Sequence, residues 1–392
     1  MMEKRKEILS KIAYYCFYTG VIIEVLMVLV DKSVLINPFE GRLFQLTFLL
    51  FLIKVCLTGY SRKEYLVIAM FLTLGVISYF ATGRNEIVRV VMFIAACKGI
   101  DMKKCLKLVF YLTLSGCLLI MLLSLFGIGG DMALTQDYGR GSVETRYTLG
   151  LGHPNALQCM IWAITVLCLY LYGEKLKWYG YLTILGINVF FFLLTDSKTS
   201  LIMSIFAVLY TGFIRLFRSD ILRKLCCVGG ILLTVGSISF SVIIAANAYR
   251  IYNYIWHSEW SRPTQFFVYL DRALTGRIAS LVGTIRWEGT LQTWRLFSEP
   301  ANNYYFDMGW IRLFYWYGVI PASIAVIVLL IFMIYCMRQK KYMEFVMLVS
   351  FTVYTLMEAH AVSVYLARNY VFFVLGAYWY KMLDWKGEKE TV

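Results

Sequence analysis

The feature that most constrains this chain is a succession of apolar runs, each close to the length that spans a membrane, divided by short polar segments. Twelve can be marked, at about 12–30, 43–60, 65–81, 87–99, 105–128, 155–172, 179–195, 200–217, 225–248, 310–336, 345–364 and 369–384, the fourth being short. Crossing about 30 Å of hydrocarbon takes roughly 20 apolar residues in a helix. With 60% hydrophobic and only 16% charged residues, the composition excludes a soluble globular domain. The expectation is all-α: a single integral membrane domain, residues 1–392, built as a transmembrane helix bundle of about twelve spans.

The charges indicate an orientation. A formal charge of +14 would suggest nucleic acid or acidic lipid for a soluble protein, but here the cations divide between two faces. No nucleic-acid partner is expected. If the N-terminus is cytoplasmic, the inner segments hold 22 of the 38 lysines and arginines, 16 of them lysine. The outer segments hold 14, of which 12 are arginine, and half of the 14 sit in or beside one long loop, Arg312 included, that the positive-inside rule discounts. Both termini are therefore predicted cytoplasmic, with the loop 249–309 extracytoplasmic. Segment 1–11 leads into the first run without a small-residue cleavage pattern, so an uncleaved first span is expected. The ten cysteines lie in apolar runs or at their inner ends, which argues against a disulfide framework, and their spacing fits no metal site.

The loop 249–309 carries the polar chemistry. Its cations are all arginine: Arg250, Arg262, Arg272, Arg277, Arg286 and Arg295. An arginine fork grips a phosphate through two parallel hydrogen bonds and stays charged at any relevant pH, whereas lysine offers a hydrated point charge. A phosphate-bearing substrate at the membrane surface is the reading this supports. From 276 to 298 no proline occurs, and Arg277, Thr284, Glu288 and Arg295 recur at spacings of 7, 4 and 7, one face of a helix. An amphipathic helix lying at the outer interface, between the ninth and tenth spans, is predicted there.

Other unusual residues gather at the same face. His153 lies before the sixth span, His257 in the long loop and His360 near the end of the eleventh run. The loop 129–154 adds Arg140, Glu144 and Arg146, and a polar turn, 195–200, joins the seventh and eighth spans. Glu24 and Lys54, on consecutive spans, are expected to form a structural ion pair.

Four stretches together resemble a known family. They are Gly152-His153-Pro154-Asn155 opening a span, DSKTS at 196–200, Leu274-Thr275-Gly276-Arg277 opening a helix in a late outer loop, and Asp307 followed by a span beginning Trp310-Ile311-Arg312. The set is similar to the O-antigen and capsular polysaccharide polymerases (Wzy), within the O-antigen ligase-like superfamily. The similarity covers most of the chain in topology and four short motifs in sequence. It implies a GT-C-like, metal-independent glycosyltransferase in the bacterial cytoplasmic membrane, without a cofactor. Such enzymes join oligosaccharide repeat units carried on undecaprenyl diphosphate, alongside membrane lipid, a flippase and a chain-length regulator. A chain rich in Lys, Ile, Tyr and Phe suits a Gram-positive capsule or exopolysaccharide setting.

A glycosyl diphosphate is already activated, so the protein must hold the diphosphate, take a proton from the incoming hydroxyl and exclude water. Holding it calls for preorganised cations, since negative charge grows on the leaving group in the transition state. Arg140, Arg146, Arg272, Arg277 and Arg295 are the candidates. Proton removal calls for a carboxylate or neutral histidine, for which His153, Glu288, Asp307, Glu358 and His360 are available. Asn155 and Asp307 are candidates for other substrate contacts.

Plainer readings stand beside these. His153 also suits a helix cap before Pro154, the Arg277–Arg295 stripe a solvated face, and the DSKTS segment a bare turn. Two other functions share the plan: a ligase that attaches finished glycan, and a flippase or transporter, which would place its substrate at the midplane between repeated halves. The two halves of this chain show no matching pattern, and the polar residues crowd one rim.

Overall fold

A computed structural model of the chain describes residues 2–137, 142–217, 219–257, 262–274, 276–282 and 288–384. In chain order the helices are α1 (Met2–Lys32), α2 (Glu40–Cys56), α3 (Arg62–Thr82), α4 (Glu86–Ala96), α5 (Met102–Leu125), α6 (Pro154–Tyr172), α7 (Trp178–Thr195) and α8 (Lys198–Leu216). They continue with α9 (Asp220–His257), α10 (Arg262–Ala273), α11 (Gly309–Tyr317), α12 (Val319–Arg338), α13 (Tyr342–Tyr354) and α14 (Tyr370–Asp384). The protein is an all-α polytopic membrane protein: among the described residues eight helices, α1, α3, α5 to α9 and α12, are long and apolar enough to cross a membrane. The remaining apolar runs give shorter helices. The 11 residues of α4 extend only about 16 Å at 1.5 Å per residue.

Each apolar run coincides with helix, but two of them break. The run 310–336 divides at Gly318, whose φ of +93° suits glycine, and a Cβ there would come within 2.6 Å of the Phe297 Cα. Segment 295–298 crosses this break, and its carbonyls at Arg295 and Leu296 accept the Val319 and Ile320 N–H groups at 2.8 and 3.0 Å. Donors that would be orphaned at the start of α12 are thereby satisfied. The run 345–364 leaves helix at Tyr354 and continues as a loop, 355–369, with 3-10 turns at His360–Val362 and Leu366–Arg368. Glu358 and His360 therefore sit in a connection rather than in a span.

Segment 129–154, expected as loop, holds an antiparallel hairpin, β1 (Ala133–Asp137) with β2 (Val143–Tyr147), in which Leu134 faces Arg146. Facing Thr135 and Thr145 hydroxyls lie 2.8 Å apart, a cross-strand pair of the kind that stabilises short ribbons.

The Glu24–Lys54 pair does not form. Glu24, 1% exposed, instead pairs with Arg89 at 3.1 Å and accepts from the Thr47 hydroxyl and the Leu366 N–H. Lys54 donates to Thr58 and to the Lys98 carbonyl. The reason is depth: α1 and α2 run antiparallel, so Glu24 lies about 12 Å from their shared end and Lys54 about 21 Å, at 1.5 Å per residue. Arg89 of α4 also donates to the Val364 carbonyl, so this ion pair holds the 355–369 loop from beneath.

Contacts between connecting segments keep to two faces. Lys98 reaches Glu64 and the Gly59 carbonyl, and Lys340 reaches Asp220. At the opposite end Arg146 reaches Asp196, Arg84 the Asn302 carbonyl, and Arg277 Glu358. We call this second end the loop face. A compact apolar cluster anchors the long loop there: Ile278, Leu281, Phe306 and Met308 pack with Trp310 and Ile311 of α11 and Ile244 of α9.

Candidate functional site

Arg277 is the centre of the loop face. It follows α10, whose end is tied by the Gly276 N–H bonding back to the Asp271 carbonyl at 2.9 Å. The Asp271 carboxylate, itself buried, then accepts the Ile278 and Ala279 N–H groups at 2.8 and 3.0 Å. With Ile278 buried on the next position, the turn has little freedom, and Arg277 emerges from it with its side chain 10% exposed. Its Nη2 donates to Glu358 Oε1 at 3.1 Å, its Nε lies 3.5 Å from Asp307 Oδ2, and Nη1 donates to the Leu274 carbonyl.

The two carboxylates are brought together by a close backbone approach. The Gly309 N–H donates to the Thr355 carbonyl at 2.9 Å, and a Cβ on Gly309 would lie 2.7 Å from the Glu358 carbonyl. Asp307, two residues before, and Glu358, three residues after Thr355, consequently face the same guanidinium. Burial pushes the Glu358 carboxyl up to about 7, Asp307 adding to the rise, while Arg277 and Arg368 oppose it. A carboxyl held in this way exchanges a proton near neutral pH, which an ordinary glutamate does not. Asp307, with 41% of its side chain exposed, is the solvent-facing member.

The start of α6 supplies a histidine. His153 is the cap: its Nδ1 accepts the Asn155 N–H at 3.1 Å, with Pro154 in the first helical position. With Nδ1 accepting, the neutral ring carries its proton on Nε2 and donates from there. Burial and Arg146 hold it below the ordinary histidine range, and Asp307 acts against them, so His153 stands within electrostatic reach of the Arg277 cluster. Capping and functional readings of His153 thus describe two different nitrogens. Asn155 serves through its backbone. Arg146, on β2, pairs with Glu144 and lies 3.6 Å from Asp196 in the DSKTS turn.

Other expected residues are placed elsewhere. The predicted 276–298 helix is absent from the described residues: 3-10 turns occupy Ala279–Leu281 and Leu291–Thr293, and the Gly289 N–H bonds back to the Leu281 carbonyl. Without that helix the stripe disperses. Arg295 pairs with Glu299 on the surface, Arg272 is exposed at the end of α10, and Glu288 makes no ion pair among the described residues. Arg140 lies outside the described residues, as does Thr284. His360 is buried beneath the rim, its ring 4.9 Å from Trp162 and its Nε2 3.9 Å from Cys159 Sγ. Cys159 in turn meets the Tyr354 hydroxyl at 3.0 Å, and Tyr354 meets Ser200.

Sequence reasoning missed Asp271 and Arg368. Asp271 carries no motif of its own, and only its place six residues before Arg277 marks it. Arg368 lies near Glu358, His360 and Cys159, lining a small cavity with Lys32 and His360. Arranged in this way, the loop face can hold an anion at Arg277, exchange a proton at Glu358 and donate a hydrogen bond from His153. No family model, curated protein or solved structure matches this chain.

Proposed function

We propose that the protein is a membrane glycosyltransferase of the polysaccharide-polymerase type, joining oligosaccharide repeat units carried on undecaprenyl diphosphate. In this reading the chain crosses the bacterial cytoplasmic membrane about twelve times with both termini inside, and the loop face is extracytoplasmic. The observation that carries it is the cluster of Arg277, Asp307 and Glu358 beside His153. It joins three of the four stretches that resemble the polymerases, and the fourth reaches it through Asp196 and Arg146.

Each residue then has a task. Arg277 binds the diphosphate and stabilises the charge that grows on it as the bond from the anomeric carbon to the phosphate oxygen breaks. The hydroxyl oxygen of the second unit forms the new bond to that carbon, and Glu358 takes its proton. Undecaprenyl diphosphate leaves. Arrival of the diphosphate draws the Arg277 guanidinium away from Glu358, which raises the affinity of the carboxylate for a proton when it is needed. His153 donates from Nε2 to a substrate oxygen. A chain-length regulator and a flippase are the partners this reading suggests.

The test is reconstitution of purified protein with a lipid-linked repeat unit. A ladder of products differing by one unit supports polymerisation. Transfer of a single finished glycan to a different acceptor would make the protein a ligase, and passage of the intact lipid across the bilayer without new bonds would make it a transporter.

A further inference from the structure

Arg312 has no counterpart in the mechanism above, and its surroundings are unusual. It is 4% exposed, and its Nε and Nη1 are buried without a hydrogen-bond partner among the described residues. The guanidinium lies between two rings, 3.9 Å from the centroid of Tyr305 and 3.8 Å from that of Trp316. Arg84 stacks on Trp316 as well, at 3.9 Å. The nearby acid is Glu86, whose Oε1 is 4.0 Å from Arg84 and whose Oε2 has no hydrogen-bond partner. Arg89, also close, is matched by Glu24. Arg84 also donates to the Asn302 carbonyl, and Glu86, Arg84 and Arg312 all lie within electrostatic reach of Tyr317, so two guanidiniums gather near one carboxylate. The Tyr305 side chain also hydrogen-bonds the Arg312 guanidinium, but Nε and Nη1 stay unused, and leaving them so in a buried site is costly unless an acceptor arrives. Tyr305, 57% exposed, covers this place from the loop side.

A groove begins next to this place, lined by neighbours of the two cations rather than by the cations themselves. Leu313 and Tyr317, next to Arg312 and Trp316 on α11, line its upper end together with Glu86, and Tyr317 is within electrostatic reach of both Arg84 and Arg312. The cavity is about 380 Å³ and almost wholly apolar, passing between α3, α4, α12 and α14 over residues such as Val90, Leu329 and Leu375. Along α12 it extends from Pro321 to Phe332, roughly 16 Å of helix at 1.5 Å per residue. An apolar channel with Arg312 near its head, two donors of that guanidinium unpaired and Arg84 beside it, is complementary to a long hydrocarbon chain ending in a phosphate.

We propose that this groove binds a polyprenyl phosphate or diphosphate, with the head at Arg312 and Arg84 and the isoprenoid chain against α12 and α14. The choice of an isoprenoid over a phospholipid rests on the transferase reading above. The site is distinct from the Arg277 cluster: the 355–369 loop turns Glu358 toward Arg277 and presents Thr355, Ser363 and Asn369 to the groove. Two lipid-linked substrates can accordingly flank one segment, as joining two carrier-borne units demands.

The test uses full-length protein in phosphatidylcholine nanodiscs and a photoreactive undecaprenyl phosphate, with labelled peptides mapped by mass spectrometry. Labelling of α12 and α14 is expected, reduced about tenfold in Arg312→Met and in Leu329→Trp, which fills the groove, and kept in Arg277→Ala. Arg312→Lys, which retains the charge, should recover part of it. Excess phosphatidylglycerol should not compete. Unchanged labelling in both Arg312→Met and Leu329→Trp overturns the site, and equal competition by phosphatidylglycerol overturns the isoprenoid assignment. Since binding is read without turnover, absence of a product ladder would remove the proposed activity and leave this result standing.

Discussion

Arg277 Nη2 lies 3.1 Å from Glu358 Oε1, joining residues 81 positions apart in the chain. One belongs to the arginine-rich loop and the other to the short connection between α13 and α14. The contact closes the loop onto the helix bundle and pairs a potential anion binder with a potential proton acceptor. Neither group is well solvated, so each depends on the other for charge compensation.

Breaking that contact from one side leaves a buried group unmatched. Arg277→Ala should destabilise the protein by about 2 kcal/mol, because Glu358, without the cation that opposes its raised pKa, takes up a proton and is left as a buried carboxyl lacking its hydrogen-bond donor. Adding Glu358→Gln should then cost less than it costs alone, because the contact is already broken. Thermal unfolding of both single variants and the double variant in detergent measures the coupling. Additive losses would mean that the two side chains do not interact.

The raised Glu358 carboxyl makes stability depend on pH in a defined direction. Its proton is held more tightly in the folded chain, at about 7, than in the unfolded one, near 4.5. The contribution is present in full below 4.5 and is lost as pH rises toward 7, amounting to about 3 kcal/mol at 1.36 kcal/mol per pH unit. Unfolding temperature followed from pH 4 to 8 should show this decline, and Glu358→Gln should remove it. Transfer activity should run the opposite way, rising through pH 7 as the base becomes available.

His153 allows capping and chemistry to be separated. Asparagine is a good N-cap, so His153→Asn should keep the start of α6 and leave the unfolding temperature nearly unchanged. It lacks the Nε2 donor, and turnover should fall about 100-fold. His153→Ala should lose both, with a stability cost of about 1 kcal/mol. Retained turnover in His153→Asn would reduce this residue to a cap.

Asp271 is a positioning residue for Arg277. Asp271→Ala removes the acceptor of two backbone N–H groups and should raise KM for the lipid-linked substrate more than it lowers kcat, since Arg277 remains present but poorly placed. Asp271→Asn keeps one acceptor oxygen and should recover most of the affinity. Equal effects of the two substitutions on stability alone, with KM unchanged, would remove the link.

Much of this architecture was legible in the sequence, for a physical reason: a lipid environment demands long apolar helices, and these leave an unambiguous pattern. The candidates Arg277, Asp307, Glu358 and His153 were also readable, because ionisable residues stand out beside long apolar runs. Their meeting was not, since it depends on Gly309 letting two backbones approach. The 276–298 helix failed because spacing alone was matched, while the chain folds back at Gly289 onto Leu281. Glu24 found Arg89 rather than Lys54 because depth in the bundle, not adjacency of spans, decides which charges meet. The β1–β2 hairpin escaped notice because five-residue strands leave little periodicity to read.

The most direct measurement is product analysis with purified Arg277→Ala and Arg277→Lys proteins, supplied with a lipid-linked repeat unit beside the wild type. The account predicts a ladder from the wild type, none from Arg277→Ala, and at most a short, slow one from Arg277→Lys, which keeps the charge without the fork. A wild-type ladder from Arg277→Ala would contradict it.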